Sequence, residues 1–245
     1  MGTGDNGSAW KVQRKGKSVM LDFGFYNMDC MEGMKQFPDK YFDLAIVDPP
    51  YGINENGDKN HTRSKLAVAK NYHSFYGEDK EPPKEDYFRE LFRVSKNQII
   101  FGANHFISRM PYDSPCWIVW DKDNGENDFA DCELAWTSYR TAVRRLRFRW
   151  AGMLQENMKN KEIRIHPTQK PVALYKWILQ NYAKPGDKIL DTHVGSASSL
   201  VACRETGHKY VGFEIDREYY NMASERLKAA EQQVNIFDFM GDNKT

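Results

Sequence analysis

Short apolar runs alternating with stretches of helical periodicity constrain this chain more than any other feature. The runs cover 23–28, 44–47, 98–101, 117–120, 134–136, 188–190 and 210–213. Several carry no interrupting polar residue, as strands buried on both faces require. Between them, 83–94, 172–182, 198–205 and 217–232 read as helices; the last sets Tyr220, Ala223, Leu227 and Ala230 at helical spacing. Such alternation predicts an α/β fold with a largely parallel sheet covered on both faces. Open parallel sheets bind ligands beyond the carboxyl ends of their strands. Asp29, Asp48, Gly102 to Asn104, Asp121, Asp191 and Glu214 follow the runs and so fall at that edge. Acids and small residues gathered there suit a ligand with hydroxyls, amines and a cationic centre.

The 245 residues are enough for one buried core. Residues 1–18 are rich in Gly and Lys and read as a loose arm, 19–235 as a single domain and 236–245 as a tail. Charges interrupt every apolar stretch well short of the ~20 residues a bilayer span needs, and no apolar leader opens the chain. A cytoplasmic protein without membrane contact is the expectation. Cys30, Cys116, Cys132 and Cys203 stand far apart, and the histidines lack ligand spacing, so neither a disulfide framework nor a metal site is expected.

The net charge of +1 hides local imbalance. Arg140, Arg144, Arg145, Arg147 and Arg149 fall within ten residues that hold no acid, and Lys59, Arg63, Lys65 and Lys70 form a second basic block. This pattern fits a polyanion bound at one face. From Arg145 to Trp150 arginine alternates strictly with Leu146, Phe148 and Trp150. A strand here would put the arginines on one side and the apolar residues on the other. Arginine can bridge phosphates or read guanine, and most such contacts hold the nucleic-acid backbone.

Asp48-Pro49-Pro50-Tyr51 is the sharpest chemical signal. By average residue frequencies it arises by chance in about one chain in a thousand of this length. Prolines fix the backbone and leave carbonyls as acceptors. A carboxylate, an outward carbonyl and an aromatic face together make a receptor for an exocyclic amine on a planar ring. Asp48 and the Pro49 carbonyl would accept the amine hydrogens while Tyr51 stacks on the base. The second signal is the run Asp191-Thr-His-Val-Gly195-Ser196-Ala197-Ser198, a strand end passing through small residues into a helix start. Glu214 ends the next strand, where an acid can bind ribose hydroxyls.

With these residues quoted, the chain resembles DNA amino-methyltransferases of the permuted β group, in which the base-amine motif precedes a target-recognition stretch and then the cofactor motif. The resemblance spans roughly residues 20 to 228. It implies a circularly permuted, Rossmann-like sheet of seven strands, mostly parallel, with helices on both faces. It further implies S-adenosyl-L-methionine as cofactor, no metal, and transfer of a methyl group to adenine N6. Asp48, Pro49, Pro50 and Tyr51 match the catalytic motif. Asn27 to Cys30, including Asp29, resembles the segment that contacts the cofactor's adenine. Thr168, Gln169 and Lys170 lie in His166-Pro-Thr-Gln-Lys-Pro171, which resembles the segment at the methionine end. Asp191, His193, Gly195, Ser196 and Ala197 match the cofactor loop, and Glu214 the ribose-binding acid. The recognition stretch falls near 137–165, making the five arginines between 140 and 149 the candidate DNA contacts.

Where the family loop reads Asp-Pro-Phe-x-Gly-Ser-Gly, this chain has Thr192, His193 and Ala197 in place of the Pro, the Phe and the second Gly. Ala197 would tolerate close approach if its φ is negative. The altered loop keeps a catalytically silent DNA-binding relative among the alternatives, beside cytosine-N4 methylation. Asp at position 48, where the N4 group more often has Ser, favours adenine. Pro115-Cys116 resembles the nucleophile dipeptide of cytosine-C5 methyltransferases, yet that family's Glu-Asn-Val motif is absent, and Cys116 reads as a core thiol. Double-stranded DNA is the implied partner and a bacterial or phage genome the implied source. A homodimer and a cognate restriction endonuclease are expected from the family alone.

Overall fold

A computed structural model describes residues 20–53, 81–125, 130–151 and 154–241, with 233–241 as backbone only. The expected arm at 1–18 and the basic segment 54–76 lie outside these residues. Every strand run foreseen forms a strand: β1 (Gly24–Asn27), β2 (Phe42–Val47), β3 (Ser95–Phe101), β4 (Trp117–Asp121), β5 (Cys132–Thr137), β9 (Lys188–Asp191) and β10 (Lys209–Glu214). The main sheet nevertheless has eight strands. Its extra member is β6 (Arg144–Arg147), the first part of the alternating arginine segment. Leu146 is half-buried level with Trp120, which gives this edge strand an apolar anchor. β7 (Trp150–Ala151) and β8 (Leu154–Gln155) form a separate ribbon.

The order is β1-β10-β9-β2-β3-β5-β4-β6, and only β5 runs against its neighbours. The first strand in the chain therefore lies beside the last, as the permuted order of motifs implies. Helices α1 (Cys30–Met34), α2 (Glu85–Val94), α3 (Val172–Tyr182), α4 (Ser198–Glu205) and α5 (Arg217–Gly241) cover the sheet. No sequence pattern announced α1, because five residues are too few to show a period.

Alternation along β2 separates the two layers. Ala45 and Val47 join the core with Met34 of α1 and Phe88 and Leu91 of α2. Leu44 and Ile46 join the opposite core with Leu174 and Ile178 of α3 and Ala202 of α4. A smaller cluster holds Val194, Leu200 and Val201 against Ala223 and Leu227 of α5. No helix among the described residues is long and apolar enough to cross a membrane.

Close approach of α1 to the sheet depends on Gly33, where an added Cβ would lie 2.4 Å from the Phe213 ring. Phe213 is fully buried and cannot yield outward. Gly33→Ala is expected to destabilise by roughly 1–3 kcal/mol through overpacking. Thermal unfolding of the variant should show a midpoint several degrees below that of the wild type.

Candidate active site

Register brings the strand-end acids together. Ala45 is level with Leu190, and Gly212 with Asp191. Counting along the strands, Asp48 and Glu214 both stand two residues beyond Asp191, one on each side of β9. Two strand spacings, about 10 Å, separate them. On β1, Asn27 is level with Glu214 and donates its amide to the Glu214 and Ile215 carbonyls at 2.9 and 3.1 Å. Asp29 follows and caps α1, accepting the Met31 and Glu32 N–H groups at 2.8 and 3.1 Å. Burial, reinforced by Asp29, pushes the Cys30 thiol up to about 12, so it stays neutral.

Asp48 sits in a charge network of its own. Its Oδ1 accepts the Tyr51 hydroxyl at 2.6 Å and its Oδ2 the Lys170 ammonium at 2.5 Å. Lys170 is only 4% exposed, also donates to the Tyr51 oxygen at 3.2 Å, and pairs with Glu133 at 3.1 Å. Lys122 closes the chain on Glu133 at 2.5 Å. Burial pushes the Asp48 carboxyl upward and Lys170 opposes it. Burial works against the Lys170 ammonium too, yet Asp48 and Glu133 outweigh it and hold the lysine above its usual range. Against the same burial, Lys170 and Lys122 bring Glu133 down to about 2. The Tyr51 ring stacks on His105 at 5.2 Å. Gly102 makes room for it, since its φ is +68° and a Cβ there would lie 2.0 Å from the ring.

The loop after β9 is tied from three sides. Asp191 accepts the His193 N–H at 3.0 Å and the Ser199 hydroxyl on its other oxygen. Glu214 accepts the Gly195 N–H at 2.8 Å and the Asp216 N–H at 2.9 Å. From α5, Arg226 donates to the Ser196 carbonyl at 2.8 Å and the Ser198 hydroxyl at 2.9 Å. The departures are integrated into this scaffold. Thr192 Oγ1 lies 2.6 Å from the Tyr87 hydroxyl of α2 and 2.9 Å from His193 Nδ1. Burial holds the His193 imidazole neutral, down to about 4.

Ala197 corrects the expectation of a negative φ. It caps α4 at φ +61°, a left-handed conformation costing an L-residue roughly 1–2 kcal/mol. Its fully buried methyl offsets part of that cost.

Sequence reasoning placed Thr168, Gln169 and Lys170 together at one end of the ligand. In the fold they face different ways. Lys170 reaches Asp48, as described. The Thr168 hydroxyl lies 3.0 Å from His166 Nδ1. The Gln169 side chain serves its own loop, accepting the Ile165 N–H at 2.9 Å. Lys122, Glu133 and Tyr87 were not singled out. The one signal was Glu133, a lone acid just before the apolar run 134–136.

The arginines alternate as expected, with Arg145, Arg147 and Arg149 exposed and Trp150 buried. They are less free than their local sequence suggests. Arg147 and Arg149 both bond Asp123, the latter at 2.6 Å, and Arg145 lies 3.8 Å from Asp121. Arg140 and Arg144 are exposed. A recess lined by Phe23, Arg204, His208 and Lys209 lies at the other end of β1 and β10, away from the strand-end acids.

Comparison with known proteins finds similarity to DNA methyltransferases. An N6/N4 methyltransferase family described as DNA methylase matches residues 109–225. The chain is 25% identical over 86% of its length to type II methyltransferase M.HinfI of Haemophilus influenzae, covering 70% of that protein. It is 27% identical over 86% of its length to M.HpaI of Haemophilus parainfluenzae, covering 74%. Two solved structures share the fold. TTHA0409 of Thermus thermophilus, complexed with S-adenosyl-L-methionine, has a TM-score of 0.52 and 17% identity, over 84% of this chain and 95% of that one. The cytosine-N4-specific PvuII DNA methyltransferase has a TM-score of 0.54 and 12% identity, over 89% and 94%. The chain is thus similar to DNA methyltransferases of the N6/N4 family.

The residues of this chain fit S-adenosyl-L-methionine, the cofactor that the similarity implies. Three carboxylates, Asp48, Asp191 and Glu214, meet at adjacent strand ends, and burial raises the pKa of each. Among the described residues, only Asp48 of the three has an ammonium bonded to it. A cationic ligand rich in hydroxyls suits the remaining pair. The DNA methylase match begins after residues 48–51, so the amine receptor stands on its own chemistry.

Burial pushes the Asp191 carboxyl from 3.8 up to about 7. The folded protein thus keeps a proton that the unfolded chain releases near 3.8, and stability falls as pH rises through about 7. Asp191→Asn, whose amide can still bond Ser199, is expected to lack that fall. Urea denaturation of both proteins between pH 4 and 8 checks this; parallel curves would contradict it.

Proposed function

We propose that the chain is an S-adenosyl-L-methionine-dependent DNA methyltransferase that modifies the exocyclic N6 of an adenine flipped out of double-stranded DNA. The observation that carries this is a carboxylate, not a hydroxyl, at position 48, held beside the Pro49 carbonyl and the Tyr51 ring. Asp48 and Pro49 would accept the two amine hydrogens and turn the nitrogen lone pair toward the cofactor loop. Asp191 and Glu214 would hold S-adenosyl-L-methionine, which supplies an electrophilic methyl group when bound. Asp48 stabilises the positive charge that develops on the amine and takes its surplus proton. An amine inside a duplex cannot reach this edge, which makes base flipping part of the proposal. Positioning provides much of the acceleration. No enzyme nucleophile is required: Cys116 is fully buried and accepts the Thr141 hydroxyl at 3.2 Å.

Incubation with unmodified DNA and methyl-labelled cofactor, followed by nucleoside analysis, tests the reading. Labelled N6-methyladenine is expected. N4-methylcytosine would replace it with the N4 reaction, and cofactor binding without transfer would indicate a silent relative. Asp48→Asn should reduce transfer about 10²–10³-fold while cofactor binding stays near wild type; retained turnover would remove Asp48 from its role.

The arginine edge is the proposed DNA contact. Phosphates would compete with Asp123 for Arg147 and Arg149. Asp123→Asn is therefore expected to tighten DNA binding. The double variant Arg147→Gln, Arg149→Gln should flatten the salt dependence of binding by about two phosphate contacts. Equal slopes in a fluorescence titration across salt concentrations would place DNA elsewhere.

A further inference from the structure

The buried ion chain does not end at the amine receptor. Glu133 lies on β5, the reversed strand, and Lys122 directly follows β4. Neither bonds Asp48, although the Glu133 charge is felt there; Glu133 pairs with the lysine that does bond it, and Lys122 pairs with Glu133. Lys170 sits between two carboxylates, at 2.5 Å from Asp48 and 3.1 Å from Glu133, and Lys122 holds Glu133 from behind at 2.5 Å. Signs alternate along the chain and its formal charge is zero. An isolated buried ion would cost several kcal/mol, which explains why the series is continued to Lys122 near the surface.

Sharing matters for the reaction. An ammonium given wholly to Asp48 would bind that carboxylate tightly and weaken it as an acceptor. Glu133 draws Lys170 partly away. We propose that Glu133, with Lys122 behind it, is a positioning residue for methyl transfer: it divides the Lys170 ammonium between two carboxylates, leaving Asp48 charged but open to the amine. This rests on the proposed amine-receptor role of Asp48. In the step itself, the amine lone pair forms the new N–C bond and the S–C bonding pair stays on sulfur. The nitrogen then passes one proton to Asp48, which later releases it to solvent.

Other charged or titratable groups bear on the same pair. Tyr51 bonds both Asp48 and Lys170, while Tyr175 of α3, Tyr87 of α2 and Asp191 of β9 lie within electrostatic range of Asp48, and His166 within range of Lys170. None of these is an anion bonded to Lys170, so among the described residues Glu133 alone can compete with Asp48 for it.

The variants Glu133→Gln and Lys122→Gln separate positioning from simple support. Removing Glu133 takes an anion from Lys170, so its ammonium titrates at lower pH; removing Lys122 takes away a cation and moves the titration higher. Transfer rates across pH should follow, the alkaline limb moving down in Glu133→Gln and up in Lys122→Gln. At neutral pH, kcat of Glu133→Gln should drop by about a hundredfold with KM for DNA near wild type. NMR of the Lys170 side chain in the ligand-free protein gives the same displacements without turnover. Opposite shifts in the two variants support the proposal. Alkaline limbs that coincide with wild type, or Lys170 signals unmoved in both variants, overturn it. If wild-type protein transfers no methyl to DNA, the amine-receptor reading fails, while the NMR titration still decides whether Glu133 and Lys170 are coupled. Should Glu133→Gln fail to fold, Lys122→Gln, at the outer end of the chain, carries the decision by the direction of its shift.

Discussion

Negative charge buried at the carboxyl ends of adjacent strands is the constraint around which this protein is arranged. A parallel sheet places Asp48, Asp191 and Glu214 side by side, and burial penalises each of them. The chain answers in three ways. Asp48 receives the Lys170 ammonium and the Tyr51 hydroxyl. Glu214 collects backbone N–H groups from Gly195 and Asp216. Among the described residues, Asp191 has only the His193 N–H and the Ser199 hydroxyl, and it keeps its proton up to about pH 7. Gly102 yields space to Tyr51, and α5 sends Arg226 into the loop that carries Gly195.

Much of this was legible in the sequence. Uninterrupted apolar runs such as 44–47 and 188–190 announce strands covered on both faces, and every run foreseen became one. The gathering of the candidate residues at one edge was legible for the same reason, since topology puts whatever follows a buried parallel strand there. What stayed hidden depended on pairings between distant segments. Nothing in the residues near Glu133 says that Lys170 will arrive beside it, because β5 enters the sheet reversed and next to β3. Asp123 likewise lies 24 and 26 residues before its partners Arg147 and Arg149, so a stretch without acids looked more positive than it is. The sign of φ at Ala197 was hidden too, because it is set by the turn from β9 into α4.

Departures from the family loop acquire a physical meaning in this setting. Thr192 and His193 replace an apolar pair, yet they do not leave polar groups stranded. Tyr87, Thr192 and His193 form one hydrogen-bonded row from α2 to the loop, with the imidazole edge-on to the tyrosine ring at 5.4 Å. The substitutions therefore exchange apolar packing for a satisfied polar contact and keep a flat neutral ring at the same place. Ala197 bears the cost of a turn where glycine would be unstrained.

All of this depends on a target amine and a sulfonium meeting between Asp48 and the Asp191–Glu214 pair. A crystal structure of the protein with duplex DNA and an unreactive cofactor analogue examines that meeting directly. We expect an extruded adenine with its amine bonded to Asp48 and the Pro49 carbonyl, and the analogue's ribose on Glu214. A cofactor lodged away from that edge, or a base that enters without touching Asp48, would contradict it.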